Sequence, residues 1–232
     1  KPVVEIEVPL GRMTVEKDQQ PGSCRDWYCH THWVWLHEGT DGLLWSAPDT
    51  PLFTLNDLFR GQWRRSIVPD GTLFGYAMNN YWDTNYAASQ GGAVTFRFRI
   101  SLLAPGDVAE PVRRGWAACD PLYVSSSYTN EKPGPLVATD RALFYADKNM
   151  MVVAAKLADD GEGAIVKLLD ITGQGRTVGM WPAAYQFKTA RRTSLVEQNG
   201  DPLTRGSDGK APNDVAAWGI ATARLFMPSE AS

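Results

Sequence analysis

The sequence has few cysteines, no long apolar run and no excess of basic charge. The chain has three cysteines, which is an odd number and too few for a disulfide framework in 232 residues: Cys24, Cys29 and Cys119. The sequence is still compatible with one disulfide bridge. No apolar run approaches the roughly 18 residues that a membrane-spanning helix needs. The formal charge of −3 gives no dense Lys/Arg surface, so nucleic acid and anionic membranes are not expected partners. The sequence indicates no cellular compartment.

The amino-terminal residues carry no secretion signal. Lys1-Pro2-Val3-Val4 lacks an apolar core followed by a small-residue cleavage site. The chain also begins without an initiator methionine. We therefore expect it to be part of a longer polypeptide, whose localisation signals would lie elsewhere.

Aromatic residues, glycine and proline are abundant. Nine Trp, eight Tyr and eight Phe accompany 21 Gly and 15 Pro. Aromatic side chains suit pleated, half-buried surfaces, and Gly and Pro interrupt chains at turns, so this composition favours β structure. With 44% hydrophobic and 21% charged residues, the chain is long enough to bury a core as one large or two small β domains.

Two segments give the clearest strand patterns. DWYCHTHWVWL, residues 26–36, alternates large apolar with small or polar residues and predicts one strand, with His30 and His32 on the same polar face. Residues 94–101 alternate apolar and polar side chains with period two, which is typical of an antiparallel strand. Regularly spaced short strands continue to the end of the chain and predict an antiparallel β-sandwich.

One interval interrupts the strand pattern. Residues 104–118 contain Pro105-Gly106 and are the only stretch with any helical tendency. We place a domain boundary there, giving residues 1–118 and 119–232, with a single continuous domain as the alternative. The polar, Gly/Pro-rich residues 199–213 are predicted to form a mobile loop.

The run FGYAMNNYWDTNYAASQGG, residues 74–92, followed by TFRF at 95–98, resembles a motif in the carboxy-terminal region of family 38 glycoside hydrolases, the α-mannosidase family. Shorter pieces fall in the order of that family, namely CRDW at 24–27, PDTPL at 48–52, RGQW at 60–63 and IVKLLDITG at 165–173. The sequence departs from the family at Lys167, where Arg is usual, and at Asp170, where Glu is usual. The resemblance covers nearly the whole chain.

This resemblance implies a fold and a role. It implies an antiparallel super-sandwich of the galactose-mutarotase type, followed by a smaller β-sandwich subdomain. Enzymes of the family carry two carboxylates and a zinc ion in an amino-terminal catalytic domain and cleave α-mannosides with retention. The chain would then be a non-catalytic β domain that scaffolds the catalytic domain and contributes to binding a mannose-containing glycan. A free-standing carbohydrate-binding module is the alternative, and a complete small enzyme is the least favoured hypothesis.

The sequence offers no complete catalytic or metal site. CHTHW at 29–33 is superficially similar to a zinc signature, but a third ligand is missing locally and Val34 stands where the family motif has its carboxylate. We therefore predict no metal ligand in this chain and place the zinc in the presumed catalytic domain. Four aspartates are candidates for a carboxylate pair, but no pattern fixes a partner for any of them: Asp49, Asp57, Asp83 and Asp120.

A cluster of amide and aromatic side chains is the candidate carbohydrate-binding site. Aromatic rings contact the C–H faces of sugars, and amides and carboxylates bind their hydroxyl groups. The candidate residues are Asn79, Asn80, Tyr81, Trp82, Asp83, Asn85, Tyr86 and Gln90. The other interpretation is structural, because buried amides and a Gly91-Gly92 bend also specify a β corner or an interdomain contact.

Overall fold

The computed structural model describes residues 1–39, 41–58, 61–78, 85, 89–103, 107–120, 144–145, 147–182, 187–204, 206–207 and 210–226. These residues form antiparallel β structure with one α-helix among them, which confirms the predicted all-β fold class. The chain divides into two compact units, Lys1–Pro121 and Leu122–Ser232. No helix in the described ranges is long and apolar enough to cross a membrane.

The first unit contains two antiparallel sheets. Its strands are β1 (Val3–Val8), β2 (Gly11–Thr14), β3 (Tyr28–Cys29), β4 (Trp33–Glu38), β5 (Asp41–Ser46), β6 (Leu52–Leu55), β7 (Leu73–Gly75) and β8 (Arg99–Leu103). The larger sheet has the order β2-β1-β4-β5-β8, and the smaller has the order β3-β6-β7. Apolar side chains from both sheets share one core, including Ile6 and Val34 from the larger sheet and Phe53 and Leu55 from the smaller. This packing defines a sandwich.

A helix covers the other face of the larger sheet. Helix α1 (Glu110–Cys119) contacts β4, β5 and β8, and it overlaps residues 104–118, the stretch where the sequence shows helical tendency. Glycine is a poor helix former, yet Gly115 lies mid-helix. A Cβ atom there would lie 2.2 Å from Cδ1 of Trp33, whose side chain is fully buried. Gly115 therefore allows the helix to approach the sheet.

The second unit is also a sandwich. Its strands are β9 (Phe144–Tyr145), β10 (Met150–Leu157), β11 (Ala164–Asp170), β12 (Arg176–Pro182), β13 (Thr189–Thr193), β14 (Asn199–Leu203), β15 (Ala211–Val215) and β16 (Ile220–Phe226). They form sheets of order β10-β11-β16-β13-β14 and β15-β12-β9. Val166 and Leu225 of the first sheet share a core with Val178 and Val215 of the second.

The single strand predicted for residues 26–36 is wrong. The segment instead contributes β3 to the smaller sheet and the start of β4 to the larger one. Between them the chain turns, because the amide of His30 donates to Pro51 O and the amide of Thr31 donates to Glu7 O. The alternation along this segment therefore reflects two sheets.

Two further predictions differ from the structure. The ladder between β5 and β8 ends at the pair Ser46 and Arg99, so residues 94–98 have no strand partner among the described residues. The predicted mobile loop at 199–213 contains β14 and the first three residues of β15. Ala211 and Asn213 are buried there, and this burial outweighs the polar composition of the segment.

Candidate functional site

The predicted carbohydrate-binding run is only partly described. Asn85 and Gln90 are both exposed to solvent. The other candidates, Asn79, Asn80, Tyr81, Trp82, Asp83 and Tyr86, lie outside the described residues. Beside the run, Gly92 has φ = 101°, as expected for a glycine at a bend. The glycan-binding assignment therefore stays a prediction.

The two histidines of CHTHW do not share a polar face, so that expectation is wrong. His30 is 4% exposed and its ring lies edge-on to Trp45, with centroids 5.0 Å apart. Burial lowers the pKa of His30 to about 4, because the charged imidazolium is disfavoured in this apolar site. His32 faces a different environment, with Nδ1 3.0 Å from Oε2 of Glu7 and its ring 4.3 Å from that of Trp116. Both rings pack inside the first unit.

The described residues do not fit a zinc site. Within the described ranges, no three His, Cys, Asp or Glu side chains come together as a metal site would require. The thiols of Cys24, Cys29 and Cys119 are free. Burial raises the pKa of Cys119 to about 11, so this thiol is protonated at neutral pH and is a poor ligand in that form.

The candidate carboxylates whose contacts are described have structural roles. Asp49 accepts hydrogen bonds from Arg97 at its backbone amide (2.8 Å), Nε (2.9 Å) and Nη2 (2.8 Å). These bonds hold the pKa of Asp49 at about 2. The carboxylate of Asp57 accepts a hydrogen bond from the backbone amide of its neighbour Leu58 at 2.7 Å, which is a local contact. Asp83 lies in the part of the chain that is not described.

Two aspartates that the sequence analysis did not single out as functional are fully buried, one in each unit. Asp26 in the first unit and Asp170 in the second have no exposed surface. Asp170 accepts from the backbone amides of Thr172 and Gly175, each at 3.0 Å, and from that of Trp218 at 3.2 Å. It therefore fixes the turn after β11. Asp170 is the position where the family that the sequence resembles usually has Glu.

Asp26 fixes a different loop. Its carboxylate accepts from the backbone amides of Trp63 at 2.7 Å and Arg64 at 3.0 Å. Burial opposes ionisation of Asp26, but the hydrogen bonds from Arg64 and Trp63 outweigh it and hold its pKa below the usual value. The motifs CRDW and RGQW, distant in sequence, thus meet through this carboxylate.

The face of the larger sheet that lines the core extends past the edge of the smaller sheet, where its apolar side chains are exposed. Ile100 and Leu102 of β8 lie opposite Trp45 and Leu43 in the ladder, on the inner face of the sheet. They are nevertheless 65% and 80% exposed. Phe98 stacks on Trp45, with centroids 6.1 Å apart, and is 50% exposed. We call Phe98, Ile100 and Leu102 the β8 apolar row.

The chain is similar in structure to two solved proteins of Enterococcus faecalis. The first is a protein in the glycosyl hydrolase family 38, with a TM-score of 0.65 and 15% identity. The second is an alpha-mannosidase from strain V583, with a TM-score of 0.61 and 14% identity. Each likeness covers 97% of this chain but only 25% and 24% of the solved chains, respectively. No family model matches the sequence, and no curated protein matches it.

These similarities define the fold class of the chain. Its two β-sandwich units have the fold of about a quarter of a family 38 glycoside hydrolase chain. The resemblance that the sequence motifs indicate is therefore confirmed at the level of the fold. Sequence identities near 15% establish similarity of the fold alone.

Proposed function

We propose that this chain is the non-catalytic, carboxy-terminal β region of an α-mannosidase-like glycoside hydrolase, in which it scaffolds the amino-terminal catalytic domain. The observation that carries this proposal is the match itself: almost all of this chain aligns with about a quarter of each solved enzyme chain. The two units would be two β domains, with their boundary near residue 118, as the sequence predicts.

The β8 apolar row supports a scaffolding role. Monomeric domains rarely leave a contiguous apolar patch open next to their core, and such patches mark contacts with other protein surfaces. Because Ile100 and Leu102 lie on the inner face of a sandwich, their natural cover is another layer of β structure or a domain surface. We propose that the remainder of the enzyme supplies that cover.

The chemistry would lie in the other part of the enzyme. Retaining glycoside hydrolysis needs two carboxylates about 5–5.5 Å apart across the glycosidic bond. Asp26 and Asp170, which have no exposed surface, bind backbone amides instead. In this proposal the zinc ion and both catalytic carboxylates belong to the catalytic domain. The present chain stabilises that domain, and its residues 79–90 contact the glycan.

The experiment compares the isolated chain with the whole polypeptide. With zinc present, we expect the whole polypeptide to hydrolyse an aryl α-mannoside and the isolated chain to show no activity. Activity of the isolated chain would overturn the non-catalytic assignment. Binding of mannose oligosaccharides through residues 79–90, with no larger polypeptide in the native material, would favour the carbohydrate-binding module instead.

A double variant tests whether the β8 apolar row is the scaffolding surface. Ile100→Lys with Leu102→Lys should leave the isolated chain folded, because both side chains are largely exposed there. In the whole polypeptide the same change would bury two unpaired charges, so we expect reduced thermal stability and loss of activity. Leu157→Lys is the matched control, since Leu157 is 77% exposed and lies outside the row. Equal behaviour of the double variant and the control would contradict the proposed contact.

A further inference from the structure

The loop between β6 and β7 holds an exposed tryptophan in an uncommon backbone conformation. Trp63 has φ = 51°, in the left-handed region that bulky residues seldom adopt. Its side chain is 61% exposed. Such conformations persist only where the surrounding structure enforces them, and they concentrate at functional sites. Contacts elsewhere in the unit must therefore stabilise a backbone conformation that leaves the indole ring of Trp63 exposed to solvent.

The enforcing contacts come from a fully buried acid of the same unit. Asp26, with no exposed surface, binds the amides of Trp63 and Arg64 and lies 3.3 Å from Arg64 Nε. Arg64 Nη2 also donates to Arg25 O at 2.8 Å, which ties the loop to the segment that carries Asp26. Two consecutive amides bound by one fixed carboxylate leave the backbone at Trp63 little freedom.

The second unit uses the same arrangement without exposing its tryptophan. Trp218 has φ = 55°, and its amide donates to the buried carboxylate of Asp170 at 3.2 Å. Its indole packs on Gly173, where a Cβ atom would lie 2.3 Å from Nε1. The indole of Trp63 makes no ring contact or hydrogen bond with any described residue. Packing thus accounts for the conformation of Trp218 but not for the exposure of Trp63.

A cavity adjoins the exposed indole. It has a volume of about 300 Å³ and is lined by Gly22, Ser23, Trp63, Arg64 and Arg65. This volume is at the lower end of the range for small-molecule sites and suits a single ring. Gly22, with φ = 80°, contributes no side chain to the cavity, and a Cβ atom built there would meet no other atom within 4 Å.

The polar groups around the cavity include one arginine that no described acid neutralises. Arg64 pairs with Asp26, and Arg25, which contacts Ser23, pairs with Glu16 at 2.8 Å. Arg65 is exposed and forms no ion pair with any residue of the described ranges. A flat indole, a guanidinium with five donors and the serine hydroxyl complement a ring that has apolar C–H faces and hydroxyl groups at its edge.

We propose that this cavity, with Trp63 as platform and Arg65 as hydrogen-bond donor, binds a hexopyranose unit of a glycan. The site is separate in sequence from the run 79–90. The ligand class follows from the chemistry of the lining, whereas the expectation that mannose is the preferred sugar rests on the proposed function. The two parts are therefore tested separately.

The experiment is an NMR titration of the 232-residue chain labelled with ¹⁵N-tryptophan. The probes are the methyl α-glycosides of mannose, glucose and galactose. We expect the Trp63 indole signal, assigned by its absence in Trp63→Ala, to shift saturably with a Kd on the order of 1 mM, the range of a single ring at an open site. The Trp218 signal should not move.

Variants separate binding from folding. Trp63→Ala should weaken binding at least tenfold, and Arg65→Ala severalfold. Trp63→Gly should abolish binding while folding at least as stably as Trp63→Ala, because glycine adopts positive φ without strain. Leu58→Ala is the matched control, since Leu58 is 58% exposed in the same loop but does not line the cavity.

The outcomes are distinct. If no glycoside shifts the Trp63 signal, the sugar site is refuted. If glucose or galactose binds and mannose does not, the sugar site stands and the mannosidase assignment is weakened. If Trp63→Ala disrupts association with the rest of the enzyme and no glycoside binds, the loop is a protein contact and the sugar site is refuted.

Discussion

Replacing Asp26 by Asn removes a buried charge while keeping the shape of the side chain. The amide retains one oxygen acceptor, but its NH₂ group would face a donor from Trp63 or Arg64. Arg64, whose side chain is 12% exposed, would also lose its anionic partner. Breaking a buried ion pair by removing one partner costs about 3–5 kcal/mol. Other bonds of Arg64, including those to Leu55 O, Arg25 O and Thr54 Oγ1, remain, so we expect a loss of about 3 kcal/mol.

Urea unfolding followed by tryptophan fluorescence measures this loss. Seven of the nine tryptophans lie in Lys1–Pro121, so the signal reports mainly on the first unit. With a urea dependence of about 1–3 kcal/mol per M, the midpoint should fall by about 1–3 M. Asp49→Asn is the control: the guanidinium of Arg97, its partner, is 61% exposed, and exposed pairs contribute little.

The pH dependence gives the prediction a second test. The pKa of Asp26 is lower in the folded protein than its usual value of 3.8, so its charge stabilises the fold above about pH 4. This contribution is lost as the pH falls through the folded-state pKa. The difference between wild type and Asp26→Asn should therefore be full at pH 7 and shrink below pH 4. Equal urea midpoints for Asp26→Asn and Asp49→Asn at pH 7 would refute the role given to Asp26.

Two further predictions concern His30 and Gly115. Because the pKa of His30 falls from 6.5 to about 4 on folding, the unfolded chain binds the proton more readily, so stability should decline by about 3 kcal/mol between pH 6.5 and 4. His30→Phe should remove most of that decline in urea midpoints measured across this range, and an unchanged slope would contradict it. Gly115→Ala should lower stability by about 1–3 kcal/mol despite the better helix propensity of Ala, because its Cβ would collide with Trp33. A higher melting temperature for Gly115→Ala would contradict this prediction, because it would show that Trp33 can move to accommodate the added methyl group at little cost.

Much of the fold was predictable because composition and strand spacing report local preferences. The aromatic, Gly-rich and Pro-rich sequence correctly indicates antiparallel sheets, and the helix lies where the strand pattern is interrupted. The prediction of a single strand at residues 26–36 is wrong because alternation does not reveal that a chain changes sheets. The exposure of Ile100 also could not be predicted from the sequence. An alternation of period two identifies which side chains share a face of a strand, but not whether another layer covers that face.

The site was less predictable for a related reason. The sequence shows the motifs CRDW and RGQW but no link between them. Only the fold shows that Asp26, in CRDW, binds the backbone amide of Trp63, in RGQW, and that of the next residue, Arg64. The burial of His30 likewise depends on aromatic side chains from β5 and β6. Contacts between distant segments carry no local signature, so the roles of these residues follow only from the fold.

The intact mass of the native polypeptide tests the central claim most directly. The chain corresponds to about a quarter of each solved chain. From the proposed function we therefore predict a single native polypeptide roughly four times as long that contains these 232 residues and hydrolyses α-mannosides. A native polypeptide of 25.6 kDa with no associated partner would contradict the assignment as a β region of a larger glycoside hydrolase.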